Sequence, residues 1–306
     1  MIASSNVART AVLLLAHGSP DSVDEVPEFL LQVTGGRPLP PPVVEEVKHR
    51  YALIGRSPLT ELTLRQGELL ARELGLPVYV GMRNWKPFIA EAVGAMVSDR
   101  ISRAVVICLA PQNSRTSVGL YRSALTGNNS LPFAIDFMES WHNHPLLIQA
   151  FAEKLTAGWE RACRELGIKV PIIFTAHSVP QRTIMEGDLY ENQAKETASL
   201  VARQASLASV EWEFAFQSQG MSGGAWLGPT VESTILSLKE KGHGAVFIQP
   251  IGFLCDHVEV LYDIDVGFRQ FAEKEGLRLW RAESLNDSPL LTKALADIAR
   301  SRLDFR

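Results

Sequence analysis

Cysteine is scarce in this chain, which has three cysteines in 306 residues. They are Cys108, Cys163 and Cys255, far apart and without the Cys-x-x-Cys spacing of a metal or redox motif. This usage argues against a disulfide framework and against a cluster-binding motif. We therefore expect no iron-sulfur cluster and a reducing compartment, the cytoplasm.

Long hydrophobic runs and an excess of basic residues are lacking as well. The apolar run at 11–16 is six residues long, too short for the core of a signal peptide. No run approaches the roughly 18 apolar residues of a transmembrane segment. The net charge of −4 argues against nucleic acid as the main partner. With 46% hydrophobic and 21% charged residues, the composition is that of an ordinary globular protein.

Glycine-rich nucleotide motifs are missing at the positions where they would be expected. The turn after the first predicted strand, His17-Gly18-Ser19-Pro20, holds a single glycine, so neither GxGxxG nor GxxxxGK[ST] is present. Their absence argues against nucleotide-driven chemistry.

The chain does contain an internal repeat. An apolar run followed by Ala-His-x-x-Pro occurs at 13–20 and again at 173–180, with the two histidines 160 positions apart. Trp85 and Trp226 each precede an apolar-periodic segment, with an offset of 141. The repeat predicts two similar domains, and the smaller second offset predicts an insertion in the first half. The Pro/Gly stretch 35–42 is the candidate for that insertion.

Short apolar runs alternate with longer amphipathic segments, a pattern that predicts βαβ units and parallel sheets. The predicted fold is α/β, with two pseudo-symmetric Rossmann-like domains, 1–141 and 142–306, each a four-stranded parallel sheet flanked by helices. We expect the active site in the cleft between them and the C-terminal helix packed back on the first domain. The strand candidates are 11–15, 78–81, 104–109, 133–137, 170–175, 211–216, 244–249 and 277–281. The main helix candidates are 43–54, 60–74, 87–98, 145–166, 190–207, 230–241, 257–275 and 289–303.

Both repeated histidines, His17 and His177, are predicted at the carboxyl end of a strand, where open α/β sheets place their chemistry. A single histidine is often a hydrogen-bonded structural residue. An imidazole at this position could instead be a metal ligand or a base near neutral pH.

A second candidate segment, 256–265, contains four carboxylates and no Lys or Arg. In one interpretation Asp256 is a helix N-cap, and Glu259 completes a capping box. In the other, Glu259 and Asp263 share a helix face and form an acidic row that could receive a divalent cation or pass protons. Asp265 falls off that face and is predicted to be solvated.

Arg50, Tyr51, Ser57 and Tyr121 are weaker candidates, because each is ordinary surface or turn chemistry taken singly. A repeat offset of 139, measured between the strand-then-proline segments at 105–111 and 246–250, maps Glu259 onto the position before Tyr121. Tyr121 is therefore predicted to face the same cleft from the other half.

Together these segments resemble the ferrochelatase family. The specific part is the combination of Ala-His-Ser-x-Pro at 176–180 with Pro-x-Gly-Phe-x-x-Asp-His-x-Glu-x-x-Tyr at 250–262. The resemblance implies a two-domain chelatase fold and insertion of Fe²⁺ into a porphyrin in the cleft. Both are substrates; no cofactor is required, and we expect a monomer. The other matching segments are 16–20, 50–59, 81–89, 109–121, 139–141 and 217–229.

The resemblance also assigns roles to residues. It places His177 and Glu259 at the family's metal site. Which of the two takes the pyrrole protons is left open, with Asp263 as an outer relay. The tetrapyrrole contacts that it implies are His17, Arg50, Tyr51, Ser57 and Tyr121.

The short chain looks most like the enzymes that use coproporphyrin III, and it departs from them at two places. His17 is a tyrosine in some of those relatives, and a histidine could hold product haem by an axial nitrogen. It could equally make the site resemble the paired-histidine cobalt chelatases that act on sirohydrochlorin. Thr34-Gly35-Gly36 stands where such relatives carry arginines, and Arg37, Arg50 or Arg115 could replace them. Protoporphyrin IX and a non-catalytic haem-binding role stay as alternatives.

Overall fold

Two parallel sheets of four strands each form the centre of the molecule. The computed structural model describes residues 9–127, 130–207, 212–220 and 224–303. Strand order is β2-β1-β3-β4 in the first sheet and β6-β5-β7-β8 in the second, so the two halves share one topology. The predicted fold class is confirmed. The strands are β1 Thr10–Ala16, β2 Val78–Met82, β3 Arg103–Cys108, β4 Ala134–Met138, β5 Ile172–His177, β6 Trp212–Gln217, β7 Ala245–Pro250 and β8 Arg278–Arg281.

All eight predicted strands match observed ones within a few residues, although Glu211, the predicted start of β6, lies outside the described residues. The central strands β1, β3, β5 and β7 are almost completely buried. Such strands read as continuous apolar runs because helices cover both faces of a parallel sheet.

The helices cover these sheets. They are α1 Val26–Val33, α2 Pro41–Ile54, α3 Leu59–Leu74, α4 Ile89–Ser98, α5 Val118–Thr126, α6 Pro145–Leu166, α7 Gln181–Met185, α8 Tyr190–Gln204, α9 Val231–Glu240, α10 Val258–Leu261, α11 Arg269–Lys274 and α12 Pro289–Leu303. Proline opens α2, α6 and α12 at a position where the missing N–H costs no hydrogen bond. Within the described ranges, no helix combines the length and the apolar character needed to cross a membrane.

The segment between the repeated histidine and the repeated tryptophan is longer in the first half than in the second. α1 and α2 lie between β1 and α3, and the Pro/Gly stretch 35–42 mostly connects them. The insertion is therefore a helical pair rather than that stretch alone. Both helices line the interdomain cleft.

The predicted helix 257–275 is wrong as a single element. α10 covers Val258–Leu261, a π-helical turn follows at Asp263–Phe268, and α11 begins at Arg269. In the π turn the Gly267 amide donates to the Tyr262 carbonyl at 2.8 Å, five residues earlier. Hydrophobic periodicity does not reveal one extra residue in a helical turn. Such π-helical turns are frequent at functional sites.

One core cluster extends across both sheets. It contains Val12 and Leu14 of β1, Phe174 of β5 and Phe247 of β7, together with Phe151 of α6. α12 packs against α6 and α3. The Arg302 guanidinium near the end of α12 is 3.0 Å from the Asp136 carboxylate of β4. The C-terminal helix thus contacts the first half of the molecule.

Candidate functional site

A cavity of about 670 Å³ lies between the two halves, at the carboxyl edges of both sheets. This is where doubly wound folds bind ligands. Seven of the eight predicted site residues line it: His17, Arg50, Tyr51, Tyr121, His177, Glu259 and Asp263.

His177 is the last residue of β5, and its imidazole enters the cleft with one nitrogen already bonded. Nδ1 contacts the Ser178 carbonyl oxygen, which can only accept, so Nδ1 carries the proton. Nε2 then faces Glu259 Oε1 at 3.4 Å. The loop after β7 can approach this strand end because residue 252 is glycine, whose added Cβ would lie 3.0 Å from the Ala176 Cβ.

Glu259 lies between two imidazoles, with Oε2 3.4 Å from His257 Nε2. Burial favours the neutral acid, but His177 and His257 outweigh it and hold the Glu259 pKa well below the ordinary value. Burial likewise lowers the His177 pKa, yet the Glu259 carboxylate brings it above the ordinary value. The two shifts favour an imidazolium at His177 and a carboxylate at Glu259.

The capping interpretation of the acidic segment is wrong. His257, not Asp256, is the N-cap of α10, and the Glu259 side chain points to the histidines. Asp256 instead accepts hydrogen bonds from Ser284 Oγ at 2.7 Å and Asn286 Nδ2 at 2.9 Å. Asp256 therefore binds partners that are distant in the sequence and does not cap α10, a helix of only four residues.

Asp263 and Asp265 have different environments. Asp263 faces the cleft, accepts a hydrogen bond from Ser218 Oγ, and lies 3.9 Å from the Arg50 guanidinium. Burial, assisted by the Glu259 charge, raises the Asp263 pKa to about 6. The prediction that Asp265 is solvated is wrong, since Arg281 binds both of its oxygens at 2.7 and 2.8 Å.

His17 faces the cleft from the first half. Its Nδ1 donates to the Gly18 carbonyl at 3.0 Å, and Asn84 Nδ2 donates to its Nε2 at 3.0 Å. The imidazole is open to the cleft, but protein surrounds its other sides, and this burial lowers its pKa. Gly18, at φ +86°, allows the turn, since its added Cβ would lie 2.8 Å from the Trp85 Cβ. His17 is thus a neutral imidazole whose Nε2 lone pair faces an amide.

Arg50, Tyr51 and Tyr121 complete the polar wall of the first half. Arg50 Nε donates to Glu46 at 3.0 Å, and the Tyr51 hydroxyl is 3.1 Å from Ser19 Oγ. Burial raises the pKa of both tyrosines, so both phenols stay neutral. Hydroxyls and a guanidinium suit the polar groups at the edge of a flat ligand.

Three residues considered from the sequence lie outside the cleft lining. Ser57 is buried, and its Oγ accepts from the Leu59 amide at 3.5 Å at the start of α3. Arg37 is exposed and donates to the Thr34 carbonyl at 3.2 Å. Arg115 is ion-paired with Glu186 at 2.8 Å. Of the arginines proposed as replacements, only Arg50 reaches the cavity.

Sequence reasoning missed three residues that line the cavity, Arg83, Tyr190 and His257, and it missed Asn84, which contacts His17. Arg83 and Asn84 directly follow β2, so treating every strand end in the same way as His17 would have found them. His257 was part of the recognised motif but was assigned to a capping segment. Tyr190 opens α8 after a loop, and no local signal marks it.

No group of three or more His, Cys, Asp or Glu side chains is placed to hold a metal ion in the described part of the chain. The metal-ligating types at the centre of the cleft are therefore the His177 and Glu259 pair, with His257 on the far carboxylate oxygen. A pair leaves most coordination positions of an ion open, which suits an ion that must be released.

The architecture is shared with solved structures of chelatases. The sirohydrochlorin chelatase SirB from Bacillus subtilis subspecies spizizenii, solved in complex with cobalt, matches with a TM-score of 0.55 and 10% identity. The match covers 97% of this chain and 96% of that one. At this identity the likeness establishes the fold alone.

The sequence comparisons identify the family to which the chain belongs. A model of the ferrochelatase family matches residues 9–303. A ferrochelatase of Acidobacterium capsulatum is 56% identical, covering 97% of this chain and 95% of that protein. A coproporphyrin III ferrochelatase of a Geobacillus species is 32% identical, covering 96% and 98%. The chain belongs to the ferrochelatase family, and it is an enzyme, a porphyrin metal chelatase.

Proposed function

We propose that this chain inserts Fe²⁺ into coproporphyrin III, in preference to protoporphyrin IX, as a step of haem biosynthesis. It acts in the cytoplasm as a monomer and needs no cofactor or iron-sulfur cluster. The observation that carries the proposal is the contact of His177 Nε2 with Glu259 Oε1 at 3.4 Å, inside a cavity of about 670 Å³.

Imidazole and carboxylate are suitable ligands for Fe²⁺. Both must be deprotonated to bind it, so the ion displaces the proton that His177 shares with Glu259. His177 Nε2 is then the metal ligand, with Glu259 as its partner. Once the ion has moved to the ring, the freed Nε2 lone pair is the first base for a pyrrole proton. With only two such ligands, the protein competes weakly with four pyrrole nitrogens once the ring has arrived.

Metallation also releases two pyrrole protons. Asp263 is suited to carry them outward, because its pKa of about 6 allows it to gain and lose a proton near neutral pH. It lies on the same face as Glu259 and is bonded to Ser218 at the cleft. We therefore assign Asp263 the role of outer relay.

On the opposite wall, His17 is available to the metal of the product. Its neutral state and its unprotonated Nε2 are what an axial ligand needs, and Asn84 must give up one hydrogen bond for that contact. Tyr51, Tyr121 and Arg50 contact the porphyrin in this proposal. Ser57 acts indirectly, by holding the start of α3 beside Tyr51.

The preference for coproporphyrin III is supported by the name of the Geobacillus relative and by a guanidinium, that of Arg50, in the cleft wall. Coproporphyrin III carries four carboxylates and protoporphyrin IX two. A cationic wall therefore favours the former.

A metallation panel tests the proposal. Purified protein is given Fe²⁺, Co²⁺ or Zn²⁺ with coproporphyrin III, protoporphyrin IX or sirohydrochlorin under anaerobic conditions, and metallation is followed by absorbance. We expect the highest kcat/KM for Fe²⁺ with coproporphyrin III. A preference for Co²⁺ with sirohydrochlorin would favour the alternative of a cobalt chelatase. The observation behind that alternative is the presence of two histidines, His17 and His177, in the cleft. Porphyrin binding without metallation would favour a haem-binding role.

The His177→Ala variant tests the assigned site within the same panel. Losing the ligand and base should lower kcat by about 100-fold or more while porphyrin still binds. His49→Ala, on the exposed side of α2, is the matched control and should retain wild-type rates. Near wild-type iron insertion by His177→Ala would refute the assignment.

A further inference from the structure

Arg83 lies at the carboxyl end of β2, on the wall of the cleft formed by the first half. Two backbone hydrogen bonds hold it beside His17. The Arg83 amide donates to the Ala16 carbonyl at 2.9 Å, and the Asn84 amide donates to the His17 carbonyl at 3.0 Å. The Arg83 side chain is half-buried and lines the cavity. Its position is therefore set by the sheet edge rather than by a mobile loop.

The other charged groups that line the cavity have partners. Glu259 contacts two imidazoles, Asp263 contacts Ser218 and Arg50, and Arg50 is paired with Glu46 at 3.0 Å. The Arg83 guanidinium makes no hydrogen bond or ion pair with any residue in the described ranges. Burial is the largest influence on the Arg83 pKa and lowers it, and the nearby Tyr121 side chain opposes that shift.

A guanidinium stays charged at any physiological pH. Placing it half-buried and without an anion is unfavourable unless a ligand supplies the anion. The acids of the cleft, Glu259 and Asp263, belong to the second half. Glu259 already contacts two imidazoles, and Asp263 already contacts Arg50. An anion that satisfies Arg83 must therefore arrive with the substrate.

We propose that Arg83 binds a carboxylate of the porphyrin substrate and so helps to set the preference for carboxylate-rich rings. This inference rests on the proposed function, since it presumes that a porphyrin occupies the cleft. The ring nitrogens of a metal-free porphyrin are uncharged, so its anionic groups are its side-chain carboxylates. A planar guanidinium binds a carboxylate through two parallel hydrogen bonds, which fixes orientation as well as charge.

Arg83 also accounts for a departure seen in the sequence. Thr34, Gly35 and Gly36 replace arginines of some relatives, while Arg37 and Arg115 do not line the cleft. The cationic side chain that lines the cleft besides Arg50 is Arg83, which directly follows β2 on the same wall as His17.

Equilibrium binding of metal-free porphyrins tests this inference. Quenching of porphyrin fluorescence gives Kd for coproporphyrin III and for its tetramethyl ester in the same detergent. The two ligands share the ring, and esterification removes the four carboxylate charges. We expect the wild-type protein to prefer the acid. Arg83→Met should raise Kd for the acid about ten-fold, the effect of about 1.4 kcal/mol, and leave Kd for the ester unchanged. Arg83→Lys should recover part of the loss.

The control is Arg72→Met, which removes an equal charge from α3 outside the cleft and should not change either Kd. Melting temperatures confirm that each variant is folded. If Arg83→Met weakens acid and ester equally, Arg83 has a structural role and the inference is wrong; an unchanged preference for the acid also overturns it.

The two proposals fail in different ways. Iron insertion by the wild-type chain, together with intact acid preference in Arg83→Met, would refute the role of Arg83 alone. A wild-type chain that binds neither porphyrin would refute both.

Discussion

His17 and His177 occupy equivalent strand ends, yet their imidazoles are in opposite electrostatic environments. Burial lowers the pKa of both, but His177 has a carboxylate 3.4 Å away, and its net shift is upward. The nearest polar partner of the His17 Nε2 is the Asn84 amide, which adds no charge. The same short phrase therefore produces a proton carrier in one half and a neutral ligand in the other.

Asp263 carries a pH-dependent prediction. Burial raises its pKa from the ordinary 3.8 to about 6, so the folded protein binds this proton more tightly than the unfolded chain. Below about pH 4 the Asp263 carboxyl is protonated in both states and does not change the free energy of unfolding. As the pH rises from about 4 to about 6, the unfolded chain loses this proton first, so the free energy of unfolding falls, and it stays lowered above about pH 6. Asp263→Asn removes that penalty. We expect the variant to be more stable than wild type by about 2 kcal/mol at pH 7, and equally stable at pH 3.5.

Urea unfolding at a series of pH values measures the difference, with the exposed Asp24→Asn as a control that should show none. As the outer relay is lost, kcat for iron insertion should fall about ten-fold while KM for porphyrin stays constant. A stability gain that is the same at every pH would contradict the assigned pKa.

At the scale of elements, one guanidinium organises the segment that carries Glu259. Arg281 of β8 binds Asp265 in the π turn at 2.7 Å and Asp256 before α10 at 3.2 Å. These carboxylates flank Glu259 and Asp263. Arg281 therefore ties both ends of an interrupted helix to the sheet, which compensates for the weak stability of a four-residue α10.

Arg281→Met should therefore be costly. It removes the nearest cation from two partly buried carboxylates, leaving Asp265 with Arg269 at 3.9 Å. We expect a loss of about 2 kcal/mol in unfolding free energy at pH 7. kcat should fall as well, because Glu259 loses its fixed position. Arg278→Met, on the same strand but exposed, should lose no more than about 0.5 kcal/mol. Equal losses in the two variants, measured by urea denaturation, would argue against the clamp.

At the scale of the whole molecule, the two halves share their core and several polar contacts. Gln66 of α3 donates to Cys255 Sγ at 2.9 Å, and Gln112 donates to the Ile251 carbonyl at 3.1 Å. Both contacts reach from the first half to the loop that precedes Glu259. The cleft walls are therefore held at a defined separation.

This shared core predicts cooperative unfolding. Phe151 of α6 is 1% exposed within the cluster that joins the two sheets. Phe151→Ala should lower the free energy of unfolding by about 3–5 kcal/mol. In calorimetry the unfolding transition should stay a single peak and move to a lower temperature. Leu53→Ala, at a residue that is 53% exposed, should leave the transition nearly unchanged. Two resolved peaks in either protein would show that the halves unfold separately.

Much of the fold could be predicted from the sequence because burial leaves a local pattern. The central strands β1, β3, β5 and β7 are mostly apolar runs, and the helices between the strands keep their own period. The helix candidates did not include α1, α5 and α7, which are all short and lie beside loops. The π turn was missed because hydrogen-bond spacing has no counterpart in composition.

The sequence by itself determined the duplication, the parallel sheets, the positions of the two histidines and the acidic segment, because each is written in neighbouring residues. Only the tertiary structure decided what those residues do. It turned Glu259 away from a helix cap and toward His177, which lies 82 positions earlier. It paired Asp265 with Arg281, excluded Ser57 from the cleft lining, and left Arg83 facing the cleft without an acid. The physical reason is that charge pairing depends on distance in space, and the strand order that sets those distances is a property of the whole chain.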